Sequence, residues 1–323
     1  MIHATRRLHT PSHAAGAVAI VQILGDIESV LLALGVRDVP VGQIALRSIA
    51  GVDTALVARL AESSAQIMPH GGVAVIAALT GALEHAGVPR GTADATEMYP
   101  EARTALEARM LDALSRCVSP LGVDLLLEQP RRHGVFHVEH GVWTEDDRRR
   151  ARVLGRLVEP ALVAIVGAAN IGKSTLLNAM ARRTVSVVAD EPGTTLDHVG
   201  VMVECDGVVV RMVDTAGIRE RGDAGEREAR ARARDLVRAA DLVLSCGDAT
   251  ARPVAIETAG ETVTLALRAD AGPAAFAHDL AVSGRTGAGV DRLSALIRER
   301  LVPRVELESE RAWLFWDEGG VTG

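Results

Sequence analysis

One segment of this chain combines glycine, lysine and hydroxyl side chains at a spacing suited to binding phosphate. It reads Gly167-Ala-Ala-Asn-Ile-Gly-Lys-Ser174 and follows a continuous apolar run from Leu162 to Val166. In such a loop the backbone amides surround phosphate oxygens, the lysine reaches the outer phosphates and the serine hydroxyl binds Mg²⁺. The helix expected over 175–182 directs its positive end at the same anion. The sequence therefore predicts a site for a nucleoside phosphate with Mg²⁺.

Lys173 is the only lysine in a chain that holds 35 lysines and arginines together. Asparagine is nearly as rare, because Asn170 and Asn178 are the only two in the sequence. A planar guanidinium does not replace a compact ammonium where a point charge must reach phosphate oxygens. Lysine at this one place, with Asn170 beside it, favours a phosphate site over a chance match to the glycine pattern.

Two later segments supply the other groups that a triphosphate and its metal need. The strand predicted over 208–213 ends in Asp214-Thr-Ala-Gly217, where the carboxylate can hold the magnesium shell and the Gly217 amide can meet the γ-phosphate. Upstream, Pro192-Gly-Thr-Thr195 places Thr194 and Thr195 in a polar loop. A threonine hydroxyl there can complete the Mg²⁺ shell, although the same residues also suit an ordinary turn.

These segments lie in an alternation of strands, loops and helices that begins at Ala161. The alternation predicts an α/β fold with a mostly parallel, doubly wound sheet, because parallel strands need crossover helices. Cys205-Asp-Gly207 predicts a hairpin within that sheet, since Asp-Gly tolerates positive φ. We expect this domain to span 158–302 and a short tail to span 303–323.

The preceding residues predict two further parts, because 323 residues exceed one ordinary core. A helical connector and linker is expected over 91–157, in which the charge run 145–150 forms a solvated helix face. We assign no metal to His133, His137 and His140, because they lie in a polar stretch. A small α+β domain is expected over 1–90, with apolar strand runs at 18–24, 43–49 and 66–68 and helical patterns at 27–35, 53–62 and 72–86.

Composition excludes several classes of protein. The formal charge of -7 argues against a surface that grips nucleic acid along its whole extent. The 3 cysteines show no zinc or CxxC spacing, which indicates a reduced, cytoplasmic setting. The apolar run 14–24 is interrupted by Gly25-Asp26 and is not followed by a cleavage site, so we do not predict a signal peptide. The apolar runs are all shorter than a membrane helix requires.

The motifs together resemble the tRNA modification GTPase family MnmE, also called TrmE. The matching segments are GAANIGKSTLLN (167–178), EPGTTLD (191–197), DTAGIRE (214–220) and SGRTGAGV (283–290). The resemblance implies a P-loop GTPase domain that binds GTP or GDP with Mg²⁺, hydrolyses GTP and acts in wobble-uridine modification of tRNA. It implies nucleotide and metal contacts from Gly167, Asn170, Ile171, Gly172, Lys173, Ser174, Thr175, Thr194, Thr195, Asp214, Gly217, Asp270, Ser283 and Gly284.

The same resemblance implies how water is activated. Ile218 stands where Ras-like proteins carry a water-positioning glutamine, and in the family a glutamate twelve residues after the DTAG aspartate takes that role. Here that residue is Glu226, which would equally suit a helix N-terminus. The family also places K⁺ beside the phosphates, and Asn170 matches its P-loop ligand. Lys173, Asn170, Thr195 and Glu226 form the expected catalytic set.

The chain departs from the family at its guanine-reading motif, which is Leu267-Arg-Ala-Asp270 instead of Asn-Lys-x-Asp. Asp270 can still accept from guanine N1–H and N2–H₂, whereas Leu267 cannot replace the asparagine. The Ser283-Gly284 loop can supply a backbone N–H to guanine O6. The family's C-terminal Cys-Ile-Gly-Lys motif does not occur in this sequence.

Resemblance over 14–25 and 66–79, including His70-Gly-Gly72, implies folate binding and a homodimer through the N-terminal and GTPase domains. A core strand and helix joined by a glycine turn would give the same pattern. The sequence also leaves two other functions open. One is a nucleotide-binding interaction or scaffold module with little turnover and no tRNA chemistry, and the other is an ATPase. The partners expected are GTP and a tRNA or tRNA-modification protein, without a membrane.

Overall fold

A computed structural model describes residues 2–9, 17–91, 95–99, 101–139, 142–182, 200–215, 226–254, 258 and 260–316, with the backbone alone at 137–139 and 226–232. It divides into two compact units, Met1–Arg116 and Cys117–Gly323. No helix in these described ranges is both long enough and apolar enough to cross a membrane.

The first unit is built on a five-stranded antiparallel sheet with the order β1-β2-β5-β4-β3. Its strands are β1 (Ala4–Leu8), β2 (Val21–Gly25), β3 (Gln43–Ile49), β4 (Asp53–Ala61) and β5 (Ser64–Met68). Its helices are α1 (Ile27–Ala33), α2 (Val73–His85), α3 (Ala95–Met98) and α4 (Ala105–Arg116). The helices predicted over 27–35 and 72–86 are confirmed as α1 and α2.

The helix predicted over 53–62 was wrong, because these residues form strand β4. Ala50 and Gly51 both adopt positive φ, at 50° and 69°, and this turn pairs Ile49 with Asp53 across a hairpin. Such turns match the right-handed twist of antiparallel strands and so commit the chain to a hairpin. Along β4, Ala55 and Val57 face the core whereas Leu56 is exposed, which is the two-residue period of a strand.

A polar cluster at the start of this unit gives its stability a pH dependence. The Tyr99 hydroxyl lies 3.3 Å from His9 Nδ1, and their rings meet edge to face at 5.7 Å. Burial, followed by the nearby Arg7 charge, holds the pKa of His9 below its ordinary value of 6.5. The folded imidazole therefore stays neutral over a pH range in which the unfolded chain takes up a proton.

We expect the free energy of unfolding of this unit to fall as the pH drops from 7.5 through 6.5, since the unfolded state then binds the extra proton. The contribution of the neutral His9 to the free energy of unfolding is fully present at pH values above its ordinary pKa and is lost on acidification. Calorimetry of the wild type and His9→Gln between about pH 7.5 and 5.5 tests this, because the other titrating groups cancel between the two proteins. Parallel pH profiles for the two proteins would contradict it.

The second unit holds a six-stranded sheet with the order β11-β10-β9-β6-β8-β7, parallel except for the antiparallel pair β7 and β8. Its strands are β6 (Ala161–Gly167), β7 (Val201–Cys205), β8 (Val208–Asp214), β9 (Leu242–Gly247), β10 (Glu261–Ala266) and β11 (Leu280–Ala281). Its helices are α5 (Pro120–Leu127), α6 (Gln129–Glu139), α7 (Glu145–Gly155), α8 (Lys173–Ala181), α9 (Glu226–Ala239), α10 (Val290–Leu301) and α11 (Arg304–Leu307).

This sheet confirms the predicted α/β fold with a mostly parallel sheet. The Cys205-Asp-Gly207 hairpin is also confirmed, with Asp206 and Gly207 at φ values of 51° and 88°. Leu236 of helix α9 and Ala240, just after it, pack on the sheet, where they join one buried cluster with residues of the central strands: Leu162, Ala164, Val213 and Val243. The central strands β6 and β8 are thereby fixed side by side.

Residues 304–316, which we call the C-terminal strap, pack against helices α6 and α7 through an arginine network. Arg150 is 1% exposed and donates to the carbonyls of Glu306 (2.9 Å) and Ala312 (3.0 Å). Its Nε lies 3.2 Å from the Glu306 carboxylate. Arg311 pairs with both Asp146 and Asp147. The expectation that 145–150 forms a solvated face was therefore wrong for Asp147 and Arg150, because the strap covers them.

An aromatic cluster joins the strap to the residues beneath it, around the buried His133. The His133 Nε2–H donates to the Trp313 carbonyl at 2.9 Å, and the Trp313 amide donates to Gln129 Oε1 at 2.8 Å. The side chains of His137 and His140 lie outside the described residues. The ring of His133 is within 6.4 Å of four aromatic rings, those of Phe136, Trp143, Phe315 and Trp316.

Candidate nucleotide-binding site

The loop between β6 and α8 has the backbone that a phosphate-binding turn requires. Strand β6 ends at Gly167 and α8 begins at Lys173. Between them Asn170 and Gly172 both adopt positive φ, at 60° and 100°, so the chain reverses and Gly172 caps the helix through its backbone. A Cβ at Gly167 would lie 2.4 Å from the Cys246 carbonyl oxygen of β9. Glycine is therefore needed where the loop leaves the sheet.

The Lys173 ammonium lies inside this loop. Lys173 is 4% exposed, and its Nζ donates to the Ala168 carbonyl at 2.6 Å. The side chain thus folds back over the loop instead of extending into water. A desolvated ammonium next to the free amides of a helix N-terminus makes an electropositive cradle for phosphate oxygens.

The carboxyl ends of β6 and β8 bring together two oxygens suited to Mg²⁺. The strands run parallel with Ile165 opposite Asp214, and the Ser174 hydroxyl donates to Asp214 Oδ2 at 2.6 Å. Thr215 supports this arrangement, because its hydroxyl donates to the Ile165 carbonyl at 3.0 Å. Hydroxyl and carboxylate oxygens are the hard ligands that Mg²⁺ prefers, so these residues fit that ion.

A second loop, 283–288, lies against the start of α8 and contacts Asp270, the predicted base-reading residue. A Cβ at Gly284 would lie 2.8 Å from the Leu176 amide nitrogen, so only glycine allows this approach. The Ser283 hydroxyl donates to Asp270 Oδ1, and the Arg285 guanidinium donates to Asp270 Oδ2. The Ser283 hydrogen bond, followed by Arg285, holds the pKa of Asp270 below its ordinary value. The carboxylate is therefore ionised at neutral pH and accepts these hydrogen bonds from Ser283 and Arg285.

Comparison with known proteins agrees with this geometry. Residues 162–268 match the family model for the 50S ribosome-binding GTPase. The tRNA modification GTPase MnmE of Acidiphilium cryptum is 46% identical over 152 residues, which cover 47% of this chain and 35% of the relative. The MnmE of Cereibacter sphaeroides is 40% identical over 154 residues, 48% of this chain and 35% of the relative. The GTPase domain belongs to the MnmE family.

The chain spans about a third of the length of these MnmE relatives, 35% in each case. A solved structure of Era from Aquifex aeolicus bound to GDP·AlF4⁻ is also similar, at 23% identity with a TM-score of 0.31. That similarity covers 44% of this chain and 56% of the Era chain.

The structure brings some residues of the predicted MnmE-type site together. Lys173, Ser174 and Asp214 share the carboxyl edge of the sheet, and the 283–288 loop, whose Ser283 donates to Asp270, lies against α8. Asn170 is exposed on the P-loop and Thr175 on the first turn of α8, whereas Ile171 is buried beneath the loop. Thr194, Thr195 and Gly217 lie outside the described residues. Glu226 begins α9, but its side chain lies outside them as well.

Sequence reasoning missed two arginine–carboxylate pairs at this MnmE-type site. Arg285 pairs with Asp270, and Arg268 Nη1 lies 3.3 Å from Asp248 Oδ2. Asp248 is 3% exposed and also accepts from Thr250 and Ala251. The pair of Arg285 with Asp270 could have been suspected from the sequence, because a basic residue lies two positions after Ser283. The pair of Arg268 with Asp248 could not, because Asp248 lies in no recognisable motif. Leu267 is 3% exposed, so its side chain belongs to the core and not to the base site.

Proposed function

We propose that this chain binds GTP with Mg²⁺ and hydrolyses it to GDP and phosphate. The observation that carries the proposal is the meeting of Lys173, Ser174 and Asp214 at one edge of the sheet, beside a loop whose Ser283 hydrogen-bonds to the ionised Asp270. These groups match the two ends of a guanine nucleotide, its phosphates and its base. The MnmE-type domain supports the same assignment.

Hydrolysis is an in-line attack of water on the γ-phosphorus, in which a new P–O bond forms and the bond to the β–γ bridging oxygen breaks. Lys173 neutralises charge on the outer phosphates, and the backbone amides of 168–174 orient them. Ser174 and Asp214 would hold Mg²⁺, and the bound ion would supply electrostatic stabilisation of the charge on the phosphate oxygens. By resemblance Thr195 completes that shell, and Glu226 orients the attacking water and accepts its proton.

Asp270 selects guanine by accepting from N1–H and N2–H₂, which adenine does not present as a pair. Competition between GTP and ATP for the Mg²⁺-loaded protein tests this assignment directly. We expect GTP to displace ATP, because only guanine satisfies the carboxylate. Displacement of GTP by equimolar ATP would instead support an ATPase.

Asn170 gives the site a second cation requirement, for K⁺. It lies exposed in the P-loop at φ 60°, where its amide oxygen is free to face a cation beside the phosphates. We expect GTP hydrolysis to be faster in KCl than in NaCl at equal ionic strength, and Asn170→Ala to remove that difference. Equal rates in the two salts for the wild type would eliminate the potassium role.

The remaining roles follow from the relatives and from the surface of the first unit. Strands β3 and β4 present an exposed apolar face, on which Ile44 and Leu46 are 60% exposed and Leu56 is 40% exposed. This face supports a homodimer in which the first unit and the GTPase domain both take part. Relatives named tRNA modification GTPase support tRNA, or a tRNA-modification protein, as partner. By resemblance at 70–72, folate is a further ligand of the first unit.

The protein is expected in the reducing cytoplasm, because Cys117, Cys205 and Cys246 are free thiols.

A second candidate is an interaction module that binds GTP but turns it over slowly. Two observations favour it: Arg285 forms an ion pair with Asp270, and Leu267 of the base-reading motif is buried. Single-turnover measurements separate the two functions. If the chain is a GTPase, Glu226→Ala abolishes hydrolysis of bound GTP. If it is a scaffold, the wild type binds GTP and leaves it intact, and Glu226→Ala changes nothing.

A further inference from the structure

Side chains of the same chain already occupy most of the hydrogen-bond-accepting positions of the Asp270 carboxylate. Oδ2 accepts from Arg285 Nε at 2.8 Å and from Nη2 at 2.5 Å. Oδ1 accepts from the Ser283 hydroxyl. A carboxylate oxygen offers about two lone-pair positions, so Arg285 fills Oδ2 while Oδ1 keeps one position.

Guanine makes a demand that this arrangement does not meet. Its N1–H and N2–H₂ point in parallel and require one position on each oxygen of the carboxylate. Oδ1 can accept one of them without losing Ser283. Oδ2 can accept the other only after Arg285 withdraws at least one N–H.

Of the two occupants, Arg285 is the one free to leave. Its side chain is 76% exposed, whereas that of Asp270 is 16% exposed. Ser283 is fully buried, and its hydroxyl also accepts from the Thr286 amide at 3.2 Å. Gly284 is packed against α8, so the loop that carries Ser283 is fixed. The carboxylate thus stays in place while the guanidinium can swing into water.

We infer that Arg285 is a specificity-determining residue that competes with the guanine base for Asp270 and so lowers guanine affinity. The inference rests on the proposed function, because it takes Asp270 as the guanine reader. A guanidinium competes better than an ammonium, since two of its N–H groups reach one oxygen at once. Adenine nucleotides make no such use of Asp270, so Arg285 weakens the discrimination between guanine and adenine.

The test is titration of Mg²⁺-GDP and Mg²⁺-ADP into the full chain, with Arg285→Ala, Arg285→Lys and a charge-matched control. Arg292→Ala serves as that control, because it removes an exposed arginine of the same domain from helix α10. Loss of one positive charge weakens both nucleotides alike, so the ratio of GDP to ADP affinity isolates the contribution of the base. GDP avoids turnover during the measurement.

Arg285→Ala is expected to raise the GDP-to-ADP affinity ratio about two- to five-fold, the range of an exposed ion pair. Arg285→Lys should lie between Arg285→Ala and the wild type, and Arg292→Ala should leave the ratio unchanged. An unchanged or lowered ratio in Arg285→Ala, with GDP bound selectively by the wild type, overturns this inference and leaves the proposed function standing. Failure of all four proteins to bind either nucleotide overturns both.

Discussion

Lys173→Ala is expected to lower the affinity for GTP and GDP by at least about a hundred-fold, which corresponds to roughly 3 kcal/mol of buried charge-assisted contact. Lys173 is 4% exposed, and its ammonium lies inside the loop at 2.6 Å from the Ala168 carbonyl oxygen. Its removal leaves the phosphate charges without the only cation that the P-loop itself provides. Lys173→Arg should fail as well, because a planar guanidinium does not fit where the ammonium folds back. Equilibrium titration with a fluorescent GDP analogue measures the effect.

Arg182→Ala is the matched control for this change. It removes a positive charge from the other end of helix α8, where the residue is exposed, and should leave the affinity within about two-fold. Circular dichroism should show that all the variants are folded. Binding by Lys173→Ala within about three-fold of the wild type would mean that the lysine does not contact phosphate.

Arg150→Ala is expected to destabilise the second unit by about 3 to 5 kcal/mol, the cost of leaving buried partners without their charge. The lost guanidinium leaves the carbonyls of Glu306 and Ala312 without this donor and removes one of the two arginines that pair with the Glu306 carboxylate, Arg149 being the other. For a unit of this size the corresponding decrease in Tm is roughly 6 to 20 °C. Differential scanning calorimetry of the full chain measures it.

Arg149→Ala separates burial from charge, since Arg149 also pairs with Glu306 at 3.2 Å but is 55% exposed. An exposed pair of this kind contributes about 0.2 to 1 kcal/mol, so the decrease in Tm should be no more than a few degrees. Equal losses for the two variants would contradict a structural role for the buried guanidinium of Arg150.

The phosphate end of the site was accessible to sequence reasoning because its parts are consecutive. Strand β6, the glycine turn and Lys173 follow one another directly, so local chain geometry alone brings the cation to the phosphates. Asp214 follows from the parallel pairing of β6 with β8, which the alternation of strands and helices implies. The Asp206-Gly207 hairpin was predictable for the same local reason.

The errors arose where packing between distant segments decides the outcome. Strand β4 carries apolar residues at a spacing that also suits a helix, and only the hairpin at Ala50-Gly51 and pairing with β3 and β5 settle it. The charged run of helix α7 is covered by the C-terminal strap, about 160 residues away along the chain. Arg285 reaches Asp270 because the 283–288 turn folds back, and that turn has no strong sequence signature.

The aromatic cluster at the C-terminal strap makes the two units optically distinguishable. Trp143, Trp313 and Trp316 are all the tryptophans of the chain and lie in the second unit, while the first holds Tyr99, the one tyrosine. Fluorescence excited beyond tyrosine absorption therefore arises from this cluster alone. Detachment of the strap would expose Trp313 from full burial and shift its emission to the red. The wild-type protein thus carries its own label for strap docking, which can be followed in real time as nucleotide is added.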